Sequence, residues 1–418
     1  MSNRHDPDRA SRDVPLPRRS FLQYAAATAG SFSLASSFPL SAGAWQAADG
    51  PSSDKLVAGK VAGMIVRKPH SIVLETPLEM LRKHQITPKD VLFVRNNQEL
   101  EGTDTTQPLP LEGWQIEVEG RQVPATLLED LESVDVEIVL QCSGNGRNYF
   151  GRAAPIKGTP WELGGFGNVR FRGPSVRSLF EKLEMKIPDS AKILTAAGKD
   201  RPIEAGTPDF EHSIPLDTAL ERSILALEMN GEPLPAIHGG PVRLITPGFY
   251  ATMNIKWVSG LRLEAHETFN HHQLDRYRTP IKPIKPGEPF TNTFANSEPN
   301  WPMRTKSMIF APLERESLQS GLVEVSGVAF NDGAAKITSV EVSVDGGQSW
   351  HRAGIEHTQS PYGWQPWRTK VKLGAGKQQI SCRATDALGR SQPVDGAIFW
   401  NPSGYTWNGI HTVNVQIG

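Results

Sequence analysis

Cysteine is nearly missing: the 418 residues contain only Cys142 and Cys382. Two cysteines cannot build a disulfide framework, and this pair lacks the spacing of a zinc ribbon or an iron–sulfur loop. No Cys-x-x-Cys-His run occurs, which excludes covalently attached c-type haem within this chain. An excess of either charge is also lacking, since 44 Lys and Arg oppose 45 Asp and Glu. That balance excludes neither enzyme nor binding protein, but gives no footing for nucleic acid or an anionic membrane as main partner. Internal repeats and low-complexity tracts are absent. Long helical patterns are scarce, because 38 Gly and 33 Pro are spread through the chain and punctuate it into turns and short strands. No helix bundle is expected.

What is present begins with Arg18-Arg19-Ser20-Phe21-Leu22-Gln23, a twin-arginine pattern after a polar, charged start. An apolar stretch follows from Tyr24 to about Leu40, then the small residues Ser41-Ala42-Gly43-Ala44. This order is the layout of a bacterial export signal, so residues 1–48 read as a twin-arginine leader and the periplasm as the address. Gly30, Pro39 and several serines make the stretch a poor permanent span, and no membrane anchor is expected. The twin-arginine route carries folded cargo, often redox enzymes already loaded with a cofactor.

The rest is long enough for two domains. Residues 55–285 mix strand and helix patterns and read as α+β. Gln115–Glu119 alternates as a half-buried strand does. Val134–Leu140 alternates, turns apolar, and runs straight into Gln141-Cys142-Ser143-Gly144-Asn145-Gly146-Arg147. Ser175–Leu183 carries Val176, Leu179, Phe180 and Leu183 at helical spacing behind Pro174. Seven prolines between Tyr277 and Leu313 rule out a long helix or central strand there, and predict an extended crossing between domains. From 286 to 418 the chain predicts an all-β, immunoglobulin-like sandwich. Leu322–Val328 and Val340–Val344 alternate, the second ending in the hairpin signal Asp345-Gly346-Gly347. Further short strands are expected near Lys370–Leu373, Gln379–Thr385 and Thr412–Ile417.

The segment richest in chemistry is the turn after Leu140. A thiol leaves a buried strand, and Gly144 and Gly146 let the backbone approach a ligand closely. Arg147 is expected to lower the thiol pKa. By itself the pattern fits three roles for Cys142: a buried structural residue, a nucleophile, or a ligand to a soft metal.

Cys142-Ser143-Gly144-Asn145-Gly146-Arg147 resembles the metal-binding loop of the sulfite oxidase family of molybdenum enzymes. Collinear segments strengthen the likeness: Phe93-Val94-Arg95-Asn96-Asn97, Trp161, Leu227–Pro235, His238-Gly239-Gly240-Pro241-Val242-Arg243, Asn254-Ile255-Lys256-Trp257, Tyr277 and Val342–Trp350. The resemblance implies a sulfite-oxidase-type molybdopterin-binding domain followed by a dimerisation sandwich, and a homodimer. It implies a molybdenum–molybdopterin cofactor with Cys142 as the protein's metal ligand. The cofactor contacts it implies are Phe93, Val94, Arg95, Asn96, Asn97, Asp200, His238, Arg243, Asn254, Ile255 and Lys256. Arg, Lys, His and backbone N–H groups suit the phosphate end of such a cofactor. The catalytic set implied is Arg95, Arg147, Trp161 and Tyr277. Two guanidinium groups would bind the sulfite oxyanion, the indole would shape the pocket, and the phenol would hydrogen-bond near the metal.

Two departures narrow that reading. Asn97 stands where animal members carry a histidine, and Ile410-His411-Thr412-Val413 replaces a run whose arginine reaches the substrate. No cytochrome b5-type haem domain is recognisable, so electrons are expected to pass to an external carrier, plausibly a c-type cytochrome. The alternative functions are a sulfane dehydrogenase or a sulfoxide or methionine sulfoxide reductase; the sandwich weighs against the reductase. A non-catalytic protein on the same fold is disfavoured by the joint presence of Cys142, Arg95, Arg147 and Tyr277. Plainer readings apply elsewhere: Arg170, Arg172 and Arg177 as surface residues, His271-His272 as side chains diverging along a strand, and Cys382 as a small buried strand residue.

Overall fold

The computed structural model describes residues 59–68, 72–98, 100, 107–201 and 208–418, all within one compact unit, Asp49–Gly418. The twin-arginine leader lies outside the described residues. Among the described residues, no helix is long and apolar enough to cross a membrane.

The first module is built around two larger sheets, of four and five strands, with smaller ones beside them. Strands β1 (Gln115–Val118) and β2 (Arg121–Pro124) form a hairpin, and β1 alternates exposed and buried as its sequence dictates. Strand β3 (Ser133–Gln141) is exposed at its start and buried over its last four residues. It delivers Cys142 to the interior, where a short helix α1 (Arg147–Phe150) begins after the turn. Strand β4 (Phe166–Pro174) pairs antiparallel with β3 along its whole length. Helix α2 (Val176–Lys182) follows, with Ser175 accepting from the Ser178 amide as N-cap and Val176, Leu179 and Phe180 turned inward. Strands β5 (Ile193–Gly198), β6 (Glu211–Pro215) and β7 (Val258–Glu264) complete a five-stranded sheet ordered β2-β1-β7-β5-β6. Its β1–β7 pair is parallel and the others antiparallel. Helices are few and short and the sheets dominate, so the first module is α+β.

The second module is an all-β sandwich. One sheet holds β8 (Lys306–Ala311), β9 (Gly321–Phe330) and β11 (Gln365–Leu373); the other holds β10 (Ile337–Ser343), β12 (Gly376–Asp386) and β13 (His411–Ile417). A core of Ile309, Val325, Val340, Val342, Trp367, Ile380, Cys382, Val413 and Val415 fills the space between them.

Two local expectations change. The proline-rich crossing contains a buried strand, β8, which lies at a sheet edge with Pro302 before it and Pro312 after it. His271 and His272 sit on a helical turn, His271–Leu274, capped by the Asn270 side chain, rather than on a strand. A shared aromatic cluster then joins the modules: Phe150, Phe166 and Tyr250 of the first pack with Met308, Phe310, Trp364, Trp400 and Trp407 of the second.

Candidate active site

A solvent-open cavity of about 650 Å³ lies where the end of β3 meets the loops before β1 and β7. Its wall includes Phe93, Arg95, Asn96, Asn97, Leu140, Cys142, Asp200, His238, Arg243, Asn254, Lys256 and Tyr277. Residues as far apart in sequence as Phe93 and Tyr277 therefore converge on one space.

Cys142 opens the turn. Its amide donates to the Gly165 carbonyl at 2.9 Å, and its carbonyl accepts from the Asn145 amide at 3.0 Å. Burial pushes its thiol pKa up, against the pull of Arg95 and Arg147. Arg147 does pull the thiol pKa down, as expected, but desolvation outweighs it and the thiol keeps its proton.

At one end of the cavity basic groups crowd together, with Asp200 beside Lys256. Lys60 Nζ lies 2.8 Å from His238 Nε2 and donates to the Leu92 carbonyl at 2.7 Å. Arg243 donates to the carbonyls of His238 at 2.8 Å and Asn254 at 3.1 Å. Lys256 donates to Asn96 Oδ1 and the Ile237 carbonyl, both at 2.7 Å. None of these four basic groups has an ion pair with a carboxylate among the described residues. Burial lowers Lys60 to about 7 and Arg243 to about 9, and presses Lys256 and His238 well down, the last two also repelled by neighbouring cations. Asp200, nearby, is raised to about 7 by burial. Such a cluster is costly when empty and is built to receive an anion.

At the other end Arg95 donates to the Asn96 carbonyl and Asn97 Oδ1. The Tyr277 hydroxyl lies 2.8 and 3.0 Å from the two ends of the same Asn97 amide. Asn97 thus bridges guanidinium and phenol. Tyr277 holds φ at 50°, a strained value for a tyrosine, and stacks on Tyr405 of the second module at 5.0 Å.

Four of the site residues that the resemblance implies do not line this cavity. Arg147 donates to the carbonyls of Ser403 at 2.8 Å and Thr159 at 2.9 Å, with its guanidinium 5.0 Å from the Tyr405 ring. Gly144, Gly158 and Gly404 enclose it so closely that a Cβ on any of them would come within 2.8 Å of the arginine. Of the two arginines assigned to substrate, only Arg95 faces the space. Trp161 is fully buried, edge-on to Phe93 at 6.0 Å. Val94 and Ile255 turn their side chains into core clusters, leaving only their backbones for a ligand. The Thr412 hydroxyl is bonded to Ser381 in the sandwich; the second module reaches the first with residues 403–407 instead. Arg170 and Arg172 pair with Glu137 and Asp135 on the exposed face of the β3–β4 sheet. His271 bonds Asp275 and Arg276, His272 packs on Phe210, and no group of three or more His, Cys, Asp or Glu able to hold a metal converges among the described residues.

Residues 104–272 match a family described as an oxidoreductase molybdopterin binding domain, and residues 297–418 match the Mo-co oxidoreductase dimerisation domain. Mitochondrial sulfite oxidase of Mus musculus is 31% identical over 356 residues, covering 82% of this chain and 64% of that protein. The chain belongs to the sulfite oxidase family of molybdenum enzymes. Sulfite oxidase of Arabidopsis thaliana is 24% identical over 364 residues, covering 82% of this chain and 91% of its own. The solved sulfane dehydrogenase SoxCD of Paracoccus pantotrophus shares the fold, with a TM-score of 0.67 at 24% identity over 84% of this chain and 85% of its own. Against the mouse mitochondrial relative, the chain spans 64% of that protein's length.

The cavity fits the family's cofactor on its own chemistry. The unpaired basic end suits a phosphate. On the cavity wall, Asn254 Nδ2 is buried without a partner, and Cys142 supplies a single soft thiol. Two contributors were not legible beforehand. Lys60 is a lone lysine with no surrounding pattern. The 401–407 loop is recognisable only as a run of Gly, Tyr and Trp whose partner Arg147 is far off in sequence, 256 residues from Ser403.

Proposed function

We propose that this protein is a molybdopterin-dependent dehydrogenase that oxidises sulfite to sulfate. Sulfite and water give sulfate, two protons and two electrons, and the electrons leave singly to an external carrier such as a c-type cytochrome. The observation that carries the reading is Cys142 on one wall with Arg95, His238, Arg243 and Lys256, and Lys60 behind His238.

Each part of the chain has a task. The basic end and Asn254 would hold the pterin phosphate, and Asn96 and Asp200 its polar edge. Cys142 would bind the metal, which when present supplies oxygen-atom transfer and stores the two electrons. Arg95 would draw in the oxyanion, while Asn97 fixes both Arg95 and the Tyr277 hydroxyl beside it. Phe93, Leu140 and Phe210 keep that wall apolar. Two chains would pair through the second module, and the leader would send the folded protein to the periplasm.

A second reading, oxidation of a sulfane sulfur, is favoured by one observation: Arg147 is tied to two carbonyls, leaving a substrate end with fewer free cations than a small dianion invites. One preparation tests the whole reading. Protein from the periplasmic fraction, with a solution mass of two chains, is expected to reduce cytochrome c when sulfite is added. Reduction with a persulfide and none with sulfite would move the assignment to the second reading. Absence from that fraction, or a monomeric mass, would remove export or pairing from it.

A further inference from the structure

Lys306 is the first residue of β8 and is 1% exposed. No carboxylate lies within ion-pair distance of it among the described residues. Its ammonium donates to Gln141 Oε1 at 3.3 Å and lies 5.1 Å from the centre of the Trp407 ring. Desolvation holds its pKa down at about 7, with Arg304 adding to the effect. A methionine of similar length would fill this seam without the desolvation penalty. An expensive group kept in a well-packed place points to a task outside folding.

Its two partners show what the task is. Gln141 precedes Cys142, and its Oε1 also accepts from Asn145 Nδ2 at 3.2 Å. Asn145 Oδ1 accepts from the Gly165 amide at 3.0 Å, and the Gly165 carbonyl accepts from the Cys142 amide at 2.9 Å. Hydrogen bonds therefore ring the cysteine, and Lys306 anchors the ring from the second module. Trp407 braces the other side. It packs on Gly146, where a Cβ would come within 2.6 Å of the indole, and the neighbouring Thr406 amide donates to the Ser143 carbonyl at 2.7 Å. One buried cation touches the supports on both flanks of the turn.

We infer that Lys306 is a positioning residue that fixes the Cys142 turn from the second module, through Gln141 on one side and Trp407 on the other. The inference rests on the reading of Cys142 as metal ligand for its effect on turnover, but not for its effect on the turn itself. The test compares wild type with K306M, Q141L and the double variant, purified with and without cofactor. Amide hydrogen exchange over residues 142–146 reads the turn in both forms, and the sulfur-to-metal charge-transfer absorption reads the thiolate in the loaded form. K306M is expected to melt no lower than wild type, yet to exchange about tenfold faster in the turn, the size of effect that losing one supporting contact produces. In the loaded form its charge-transfer band shifts, and kcat falls while KM for sulfite holds. Q141L is expected to speed exchange similarly, and the double variant to add nothing further, as members of one network do. Wild-type exchange in K306M, additive effects in the double variant, or a lower melting temperature with an unshifted band would overturn the inference. Wild-type protein that carries no molybdenum would sink the ligand assignment instead, while exchange in the cofactor-free pair would still decide the role of Lys306.

Discussion

Arg243 is buried and Lys256 half-buried, each donating to carbonyl oxygens at the basic end of the cavity. Replacing a buried unpaired cation by an apolar side chain of similar size is neutral or stabilising for the empty protein. It should be ruinous for holding a phosphate. K256M is therefore expected to raise or preserve the urea midpoint of cofactor-free protein while lowering its pterin content several-fold, measured by release and fluorescence of the pterin. A lowered midpoint with full pterin content would show that Lys256 serves the fold. Lys306 adds a pH signature. Its pKa is about 7 when folded and near the usual 10.5 when unfolded, so between those values the unfolded chain binds the extra proton. Stability of the wild type thus gains from this group as pH rises from 7 to 10.5. The advantage of K306M should be largest at pH 7 and shrink toward pH 10.

Among the elements, β3 and β4 explain why the site lies where it does. Their long antiparallel pairing ends at Gln141 and Phe166, so the turn begins at the point where the sheet is deepest in the core. That much was readable, because alternation giving way to an apolar run marks a strand plunging inward. The strand β8 was not readable, since the prolines around it mask an apolar run of only four residues, 308–311. The 401–407 loop was hidden for another reason: its role depends on contacts with Ser143, Gly146 and Arg147, and sequence spacing carries no information about them. Trp407 makes a direct test of that loop. It also stacks on Tyr149 at 4.6 Å, so W407A opens a cavity beneath the turn and should cost about 3–5 kcal/mol of stability. Denaturant unfolding measures this, and a loss under about 1 kcal/mol would show that the seam does not bear on Cys142.

The molecule as a whole is two modules whose aromatic seam runs directly behind the cysteine turn. The order of the two modules and the residues converging on the cavity were legible in the sequence, because Cys142, Arg95, His238, Arg243, Lys256 and Tyr277 each sit in a short distinctive run. What the sequence could not convey was the split between residues that face the cavity and residues that hold those in place: Arg147 and Trp161 carry distinctive motifs yet stand behind the wall. Sequence motifs mark both kinds alike, and only packing separates them. The proposed turnover depends on the Cys142 sulfur binding molybdenum in this cavity. The most direct measurement is elemental analysis of the folded protein beside its Cys142→Ser variant. About one molybdenum per wild-type chain is expected, as a single thiolate site holds one metal, with a large loss in the variant. Equal metal content in the two proteins, or none in either, would contradict the account.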